Sequence, residues 1–498
     1  MNAPQLNLSV TPFEWYMLED DSQSYPMVFT VHFLIEGDLH LEEMRQAFVQ
    51  TLHSHPLLAS RAVIAGDGAR YRWDIEPNPQ VAAFTHAFSG PNELTDFSHR
   101  IDPCRGPNSR LVLCRLSDLP QRKKQYLLAF QFHHAVTDGI GSFEFCSDVF
   151  QAYLRMVKKE SEEIFNGDRR PRRVSRKALS PALLPDRGLL DRRIPHPVKP
   201  STAYYFLAKE VAKFLFLFPA RIRSIRSSKA LPQPPTNIST ATEIQHFNCE
   251  TFLGVQCDVS GFEVSPEIVD ILRRFAQEHE ATLNHILLAA TFRAFGAMPV
   301  RWSLFAHPWV AVLPVNMRRP TTNRIPAHNG IGYAFVRRSK IACLDWRGNF
   351  PTLKTELDAV QDWKLAGLFV DALAYIRSLP RWIARRIVRS MCPGSFVWSY
   401  IGDPFRRFPD KLVENDQLPQ LDTCEITNFF GAPPTRNGTE TAILVTLWKD
   451  SIRLWFRFDR KRVSSEQSLY VRQAIANEIV RLAKEVQSHS SANRDLSS

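Results

Sequence analysis

The chain has 498 residues, 44% of them hydrophobic and 34 of them phenylalanine, which is enough apolar surface for two domains with a core each. Its eight cysteines (104, 114, 146, 249, 257, 343, 392 and 424) contain no Cys-x-x-Cys pair, so free thiols in a reducing compartment are expected rather than disulfides or a zinc site. The net charge of +11 is concentrated between Arg155 and Lys229, where 19 Lys and Arg face 7 Asp and Glu, and no nucleic-acid-reading motif accompanies it.

The opening residues Met1 to Leu6 lack the basic and apolar regions of a signal peptide, and no apolar run is long enough to span a bilayer. A cytoplasmic protein is expected. Tyr25 to Ile35 reads as a strand, followed by a helix marked by Leu41, Met44, Phe48 and Leu52. Tyr126-Leu-Leu-Ala-Phe-Gln-Phe132 reads as a buried strand. It runs into His133-His134-Ala135-Val136-Thr137-Asp138-Gly139. The glycines of Gly139-Ile-Gly141 then break the chain, and Ser142 is expected to cap a helix with Phe145, Val149, Phe150, Tyr153 and Val157 on its apolar face.

Residues 1–160 therefore form a first lobe. A basic linker or insertion, 161–240, follows. Its first half is expected to be irregular because of prolines 171, 181, 185, 195, 197 and 200. Its second half, Ala203 to Arg226, places Phe206, Phe214, Phe216 and Phe218 among Lys209, Lys213, Arg221 and Arg223. Either a basic amphipathic helix on an anionic membrane or a helix packed on the lobes fits that pattern. Tyr375 to Arg389 has a similar composition.

The second lobe covers 241–486. Ser265 is expected to cap a helix with Ile268, Ile271, Leu272 and Phe275 on one face. Ala442 to Trp448 and Ile452 to Phe458 read as a hairpin around Lys449-Asp450-Ser451. Ser464, Ser465 and Glu466 open a last helix to about Val486, and residues 487–498 are expected to be a disordered tail.

The paired histidines carry the chemistry. A neutral imidazole takes a proton from a hydroxyl or amine near neutral pH. Successive strand residues face opposite ways, so one of His133 and His134 addresses a substrate and the other packs. Asp138 is placed either to orient an imidazole or to brace the turn. Adjacent histidines lack the helical spacing of a metal pair, and no Gly-x-Ser-x-Gly elbow or Walker-type loop is present. Gly330-Ile-Gly332 lacks the third glycine of a dinucleotide loop.

His-His-x-x-x-Asp-Gly after an apolar strand resembles the chloramphenicol acetyltransferase-like superfamily of CoA-dependent acyltransferases. That superfamily includes condensation domains, wax ester synthase/diacylglycerol acyltransferases and alcohol acetyltransferases. His55-Pro-Leu-Leu-Ala-Ser-Arg61 and Ile101-Asp-Pro103, ahead of the motif, and Ala281 to Ala290 and Leu313-Pro-Val-Asn-Met-Arg-Arg-Pro320, after it, resemble segments of the family in the same order. His285 stands where relatives often carry an acid. Trp398-Ser-Tyr-Ile-Gly-Asp-Pro404 replaces the Ser-Asn-x-x-Gly signature of the wax ester branch, with Tyr400 in place of its asparagine. The Asp-Phe-Gly-Trp-Gly motif of the plant branch is absent.

The resemblance implies an α/β fold of two similar lobes, each a mixed sheet with flanking helices, and an active-site tunnel between them. It implies acyl transfer from acyl-CoA to an alcohol or amine, with no bound cofactor or metal. The catalytic set is His134 as general base with His133 and Asp138. Gly139, Asn316 and Arg318 give support, Arg318 by pairing with Asp138, while Ser399, Tyr400 and Gly402 line the tunnel. A condensation-type enzyme fed by a carrier protein and a membrane-associated non-catalytic relative are the alternatives. The protein is expected to act as a monomer, without nucleic acid, and at a membrane surface if the basic helix forms there.

Overall fold

The computed structural model describes residues 8–64, 71–90, 100–117, 124–157, 179–191, 244–248, 259–298, 308–321, 323–390, 394–408 and 420–495. The stretch from Ala203 to Arg226, and most of the 161–240 segment, lies outside the described residues.

Two mixed sheets organise the chain. A six-stranded sheet belongs to the first lobe and a seven-stranded sheet to the second, with a three-stranded sheet beside the first. The motif strand, Gln125–His133, lies inside the six-stranded sheet between Val28–Gly37 and Ser109–Ser117, antiparallel to both. Phe130 and Phe132 face helices, where they meet Phe33, Phe48, Phe145 and Phe150 edge to face or tilted. Leu127 and Ala129, on the opposite pleat, face the second lobe and join a cluster with Phe430, Leu444 and Trp455. Burial on both faces explains the continuous apolar run.

The lobes are not separate chain halves. Gln420–Leu421 and Cys424–Ala432 leave the second lobe and extend the first sheet, with Cys424–Ala432 antiparallel to Val28–Gly37. This crossing strand corrects the simple division at about residue 240. A strand's own pattern records that it is buried, and leaves its partner unspecified.

Other elements differ in detail. Pro181–Gly188 forms a short 3₁₀ helix with Pro181 in its first turn, where a missing N–H costs little. The segment is pinned by Arg187, which forms a buried pair with Glu14 at 2.7 Å, and by bridges Leu179–Arg324 and Leu190–Arg318. Ser265 occupies the N-cap of Pro266–Glu278 without a capping bond to the helix backbone, its side chain pairing with Glu267 instead. The hairpin turn is Lys449-Asp450, with Lys449 at φ 53°, and Ser451 already pairs with Trp448. The last helix, Ser465–Asp495, continues past Gln487 rather than ending near Val486, because a helix already formed adds polar residues at little cost. Among the described residues no helix is long and apolar enough to cross a membrane. Cys104, Cys114, Cys146, Cys343 and Cys424 are free thiols.

Candidate active site

The motif strand ends at His133 and the motif helix, Gly139–Val157, starts directly after Asp138. Asp138 Oδ1 accepts from Gly141 N at 3.0 Å, so Asp138 caps the helix in place of Ser142, whose hydroxyl donates to Gly139 O at 2.9 Å within the first turn. Gly141 does not break the helix. A side chain there would collide with Thr137 Oγ1 and crowd the backbone of His328, so the glycine lets a loop of the second lobe approach.

That loop, between Asn316 and Ile331, brings Arg318 to Asp138. Arg318 Nη2 donates to Asp138 Oδ1 at 2.8 Å and to His328 O at 2.8 Å, while Gly330 N donates to Asp138 Oδ2 at 2.8 Å. Burial alone would raise the Asp138 pKa, but the Arg318 charge and the bonds from Arg318, Gly141 and Gly330 pull it down to about 2. Burial, reinforced by the Arg318 charge, holds His328 neutral, its pKa pushed down to about 3. Asn316 Oδ1 accepts from Arg318 N at 3.2 Å and from Nη1 at 3.3 Å, which orients the guanidinium. Asp138 thus braces the turn and makes no hydrogen bond to either motif histidine.

His134 and His133 part company. His134 lines a cavity between the lobes, its ring 5.0 Å from that of Phe29. Asn329 Nδ2 donates to His134 O at 2.7 Å and lies 3.3 Å from His134 Nδ1. The ring also bonds to the backbone of His134 itself and of Thr137. Burial lowers the His134 pKa, opposed by backbone hydrogen bonds at His134 itself and Thr137 and by the Asp138 charge. His133 is fully buried and does not line the cavity. Its Nδ1 accepts from Ala135 N at 3.2 Å, and its Nε2 sits 3.6 Å from Asp21. Strand alternation separates the two rings: His134 lines the cavity and His133 is packed away from it.

The cavity has a volume of about 150 Å³. The first lobe contributes Phe29, His134, Asp138 and Gly139, and the second contributes Asn316, Ser399 and Tyr400. Gly402, expected beside Ser399 and Tyr400, does not line it. The strand Phe396–Gly402 shifts register against Thr441–Trp448 between Tyr400 and Gly402, and Gly402 takes a left-handed φ of 72° there. Burial raises the Tyr400 pKa, keeping its hydroxyl protonated as a donor. Asn329 and Gly330 escaped the sequence reading. Asn329 acts through its side-chain amide and Gly330 through its backbone N–H, and a single Asn-Gly pair announces a turn rather than a site.

No family model matches the chain. Among solved structures, the trichothecene 15-O-acetyltransferase of Fusarium sporotrichioides matches with a TM-score of 0.61 at 12% identity, over 95% of this chain and 94% of that one. The polyketide synthase associated protein 5 of Mycobacterium tuberculosis matches with a TM-score of 0.55 at 16% identity, over 96% and 98%. The first condensation domain of the CDA synthetase matches with a TM-score of 0.56 at 13% identity, over 97% and 96%. With its two sheets, flanking helices and interlobe cavity, the chain has the two-lobed chloramphenicol acetyltransferase-like fold of these condensation domains and acetyltransferases.

Proposed function

We propose that the protein is an acyltransferase in which His134 is the general base. The observation that carries this reading is a buried histidine on the interlobe cavity, its carbonyl held by the Asn329 amide and its ring by the backbone of His134 and Thr137. On this reading the ring proton sits at Nδ1, on the backbone, and the lone pair at Nε2. It takes the proton of an alcohol or amine as that group attacks the carbonyl of an acyl thioester. The tetrahedral oxyanion collapses, the C–S bond breaks, and the leaving thiolate recovers the proton from His134. A thioester is activated enough for this direct transfer once base and electrophile are aligned. Tyr400 and Ser399 are hydroxyls that the second lobe brings to the cavity, and on this reading they are assigned to the oxyanion.

Acyl-CoA is the proposed donor, and a carrier-protein thioester is the alternative. The deciding experiment offers acyl-CoA mixtures with cell lipid extract and follows thiol release and product mass. Release that requires an acceptor and is lost in His134→Ala supports the reading. Hydrolysis alone, or equal release by a folded His134→Ala, removes it.

The reading extends to a membrane surface. Tyr375 and Trp382 are 77% and 73% exposed, and Leu379 is also exposed, beside Arg385, Arg386 and Arg389 on and before the helix Arg381–Ser390. Aromatic side chains among arginines suit an anionic interface, where a lipid acceptor or acyl group would be dissolved.

A further inference from the structure

Arg436 follows the crossing strand and lines the same cavity as His134. It is 6% exposed. Its Nη2 donates to Asp20 Oδ1 at 2.6 Å and weakly to Val388 O at 3.4 Å, and its guanidinium lies 5.1 Å from the centre of the Tyr16 ring. Those contacts engage one nitrogen. Nε and Nη1 are buried and have no hydrogen-bond partner among the described residues, and neither has the hydroxyl of Tyr16, which also lines the cavity.

A guanidinium needed only to hold the lobes together would have its donors met by protein, because buried N–H groups are costly to leave unpaired. Arginine offers donors only, so the group that completes it must be an acceptor. The surrounding charge narrows the class. Glu19, next to Asp20, is met by Arg381 at 3.4 Å and Arg385 at 3.5 Å, and Arg389 donates to its carbonyl at 3.4 Å. Asp21, the third acid of the run, lies 3.6 Å from Arg100 and 3.6 Å from His133. Asp20 and Arg436 are the charged residues at this end of the cavity, and the unpartnered charged N–H groups of Arg436 favour an anion over a neutral carbonyl. The unpartnered Nε and Nη1 lie on different edges of the guanidinium, and each offers a charge-assisted hydrogen bond to a carboxylate oxygen beside the Tyr16 phenol.

We propose that Arg436 and Tyr16 form a carboxylate-binding subsite of the His134 cavity, so that one of the two reactants carries a carboxylate besides the reacting group. A hydroxy or amino acid acceptor, or the half-thioester of a dicarboxylic acid, has that chemistry. The subsite rests on the reading of this cavity as the substrate site, and it is tested by binding, without turnover.

Hexanoate and 1-hexanol share a chain and differ in the group that Arg436 would hold. Calorimetric titration of the full chain is expected to give hexanoate at least about tenfold tighter binding than hexanol. Arg436→Lys keeps a cation for Asp20 but loses the unpartnered Nε and Nη1 donors. It should weaken hexanoate about tenfold and leave hexanol unchanged, and Tyr16→Phe should weaken hexanoate about threefold. Equal affinities for the two probes, no binding of hexanoate at millimolar concentration, or hexanoate binding unmoved by both substitutions at unchanged melting temperature would overturn the subsite. If Arg436→Lys does not fold, Tyr16→Phe and the two probes on the unmodified protein still decide it. Selective hexanoate binding by a protein that transfers no acyl group would sink the acyltransferase reading and leave the subsite standing. Acyl transfer to simple alcohols without hexanoate binding would do the reverse.

Discussion

Asn329, in the second lobe, donates to the backbone carbonyl of His134, in the first, at 2.7 Å. The residue that holds the proposed base in place is therefore contributed across the lobe boundary. Removing the amide leaves a buried carbonyl unpaired, at a cost of about 1–3 kcal/mol, and frees the imidazole to turn. Asn329→Ala is expected to lower kcat about tenfold or more with little change in KM, a split that steady-state kinetics reads directly. A KM effect with kcat intact would assign Asn329 to substrate binding instead.

His134 and His133 should separate by phenotype. Loss of a general base costs about 10²–10⁴-fold in rate. His134→Ala is expected to show that loss with a near-normal melting temperature. His133→Ala removes the acceptor of Ala135 N and a ring packed near Asp21, and should lower the melting temperature more than the turnover of what remains folded.

The acid limb of the rate profile follows from burial. Because the His134 pKa is lowered, the base stays unprotonated to lower pH than a free imidazole, and kcat/KM should fall only below pH 6.5. A limb with its midpoint above 6.5 would mean that another group controls the rate.

Asp138 and Arg318 form a charge pair at 2.8 Å between the lobes. Breaking a buried pair from either side costs about 3–5 kcal/mol, so Asp138→Ala and Arg318→Ala should each destabilise strongly and the double variant less than their sum. The folded-state pKa of Asp138, about 2, lies below its unfolded value. Its contribution is therefore complete above about pH 4 and disappears as pH falls toward 2. Denaturant titrations should show that acid loss in the wild type and a shallower one in Asp138→Asn. Additive single effects would show that the pair is not coupled.

The exposed face around Trp382 predicts salt-sensitive binding to anionic vesicles. Trp382→Ser with Tyr375→Ser should weaken co-sedimentation about tenfold, while neutral vesicles and high salt should abolish most of it for the unmodified chain. Retention of full binding by the double variant would move the interface elsewhere, with the stretch from Ala203 to Arg226 the next region to vary.

Much of the first lobe's part of the site was legible because its signals are local. An apolar run, a break and a second periodicity define the motif strand and helix, and the paired histidines mark their junction. Arg318 came from a resemblance in its segment, and the structure brings it to Asp138. The capping role went to Asp138 rather than Ser142 because either side chain suits an N-cap and only the approach of the 316–331 loop decides between them. The crossing strand had no local signature: its register against Val28–Gly37 joins residues far apart in sequence. Asn329, Gly330 and Arg436 have roles fixed by what lies opposite them, which no window of sequence contains.

The crossing strand also sets an order of events during synthesis. Val28–Gly37 leaves the ribosome long before Cys424–Ala432, and until the later strand arrives one edge of the earlier one is bare. The nascent first lobe must be held or shielded through most of translation. Since the loop bearing Arg318 and Asn329 and then the strand itself arrive late, the cavity closes only as the chain nears completion. A protein built this way has no complete interlobe cavity on half of its length, and its unfinished forms leave a strand edge open to pairing.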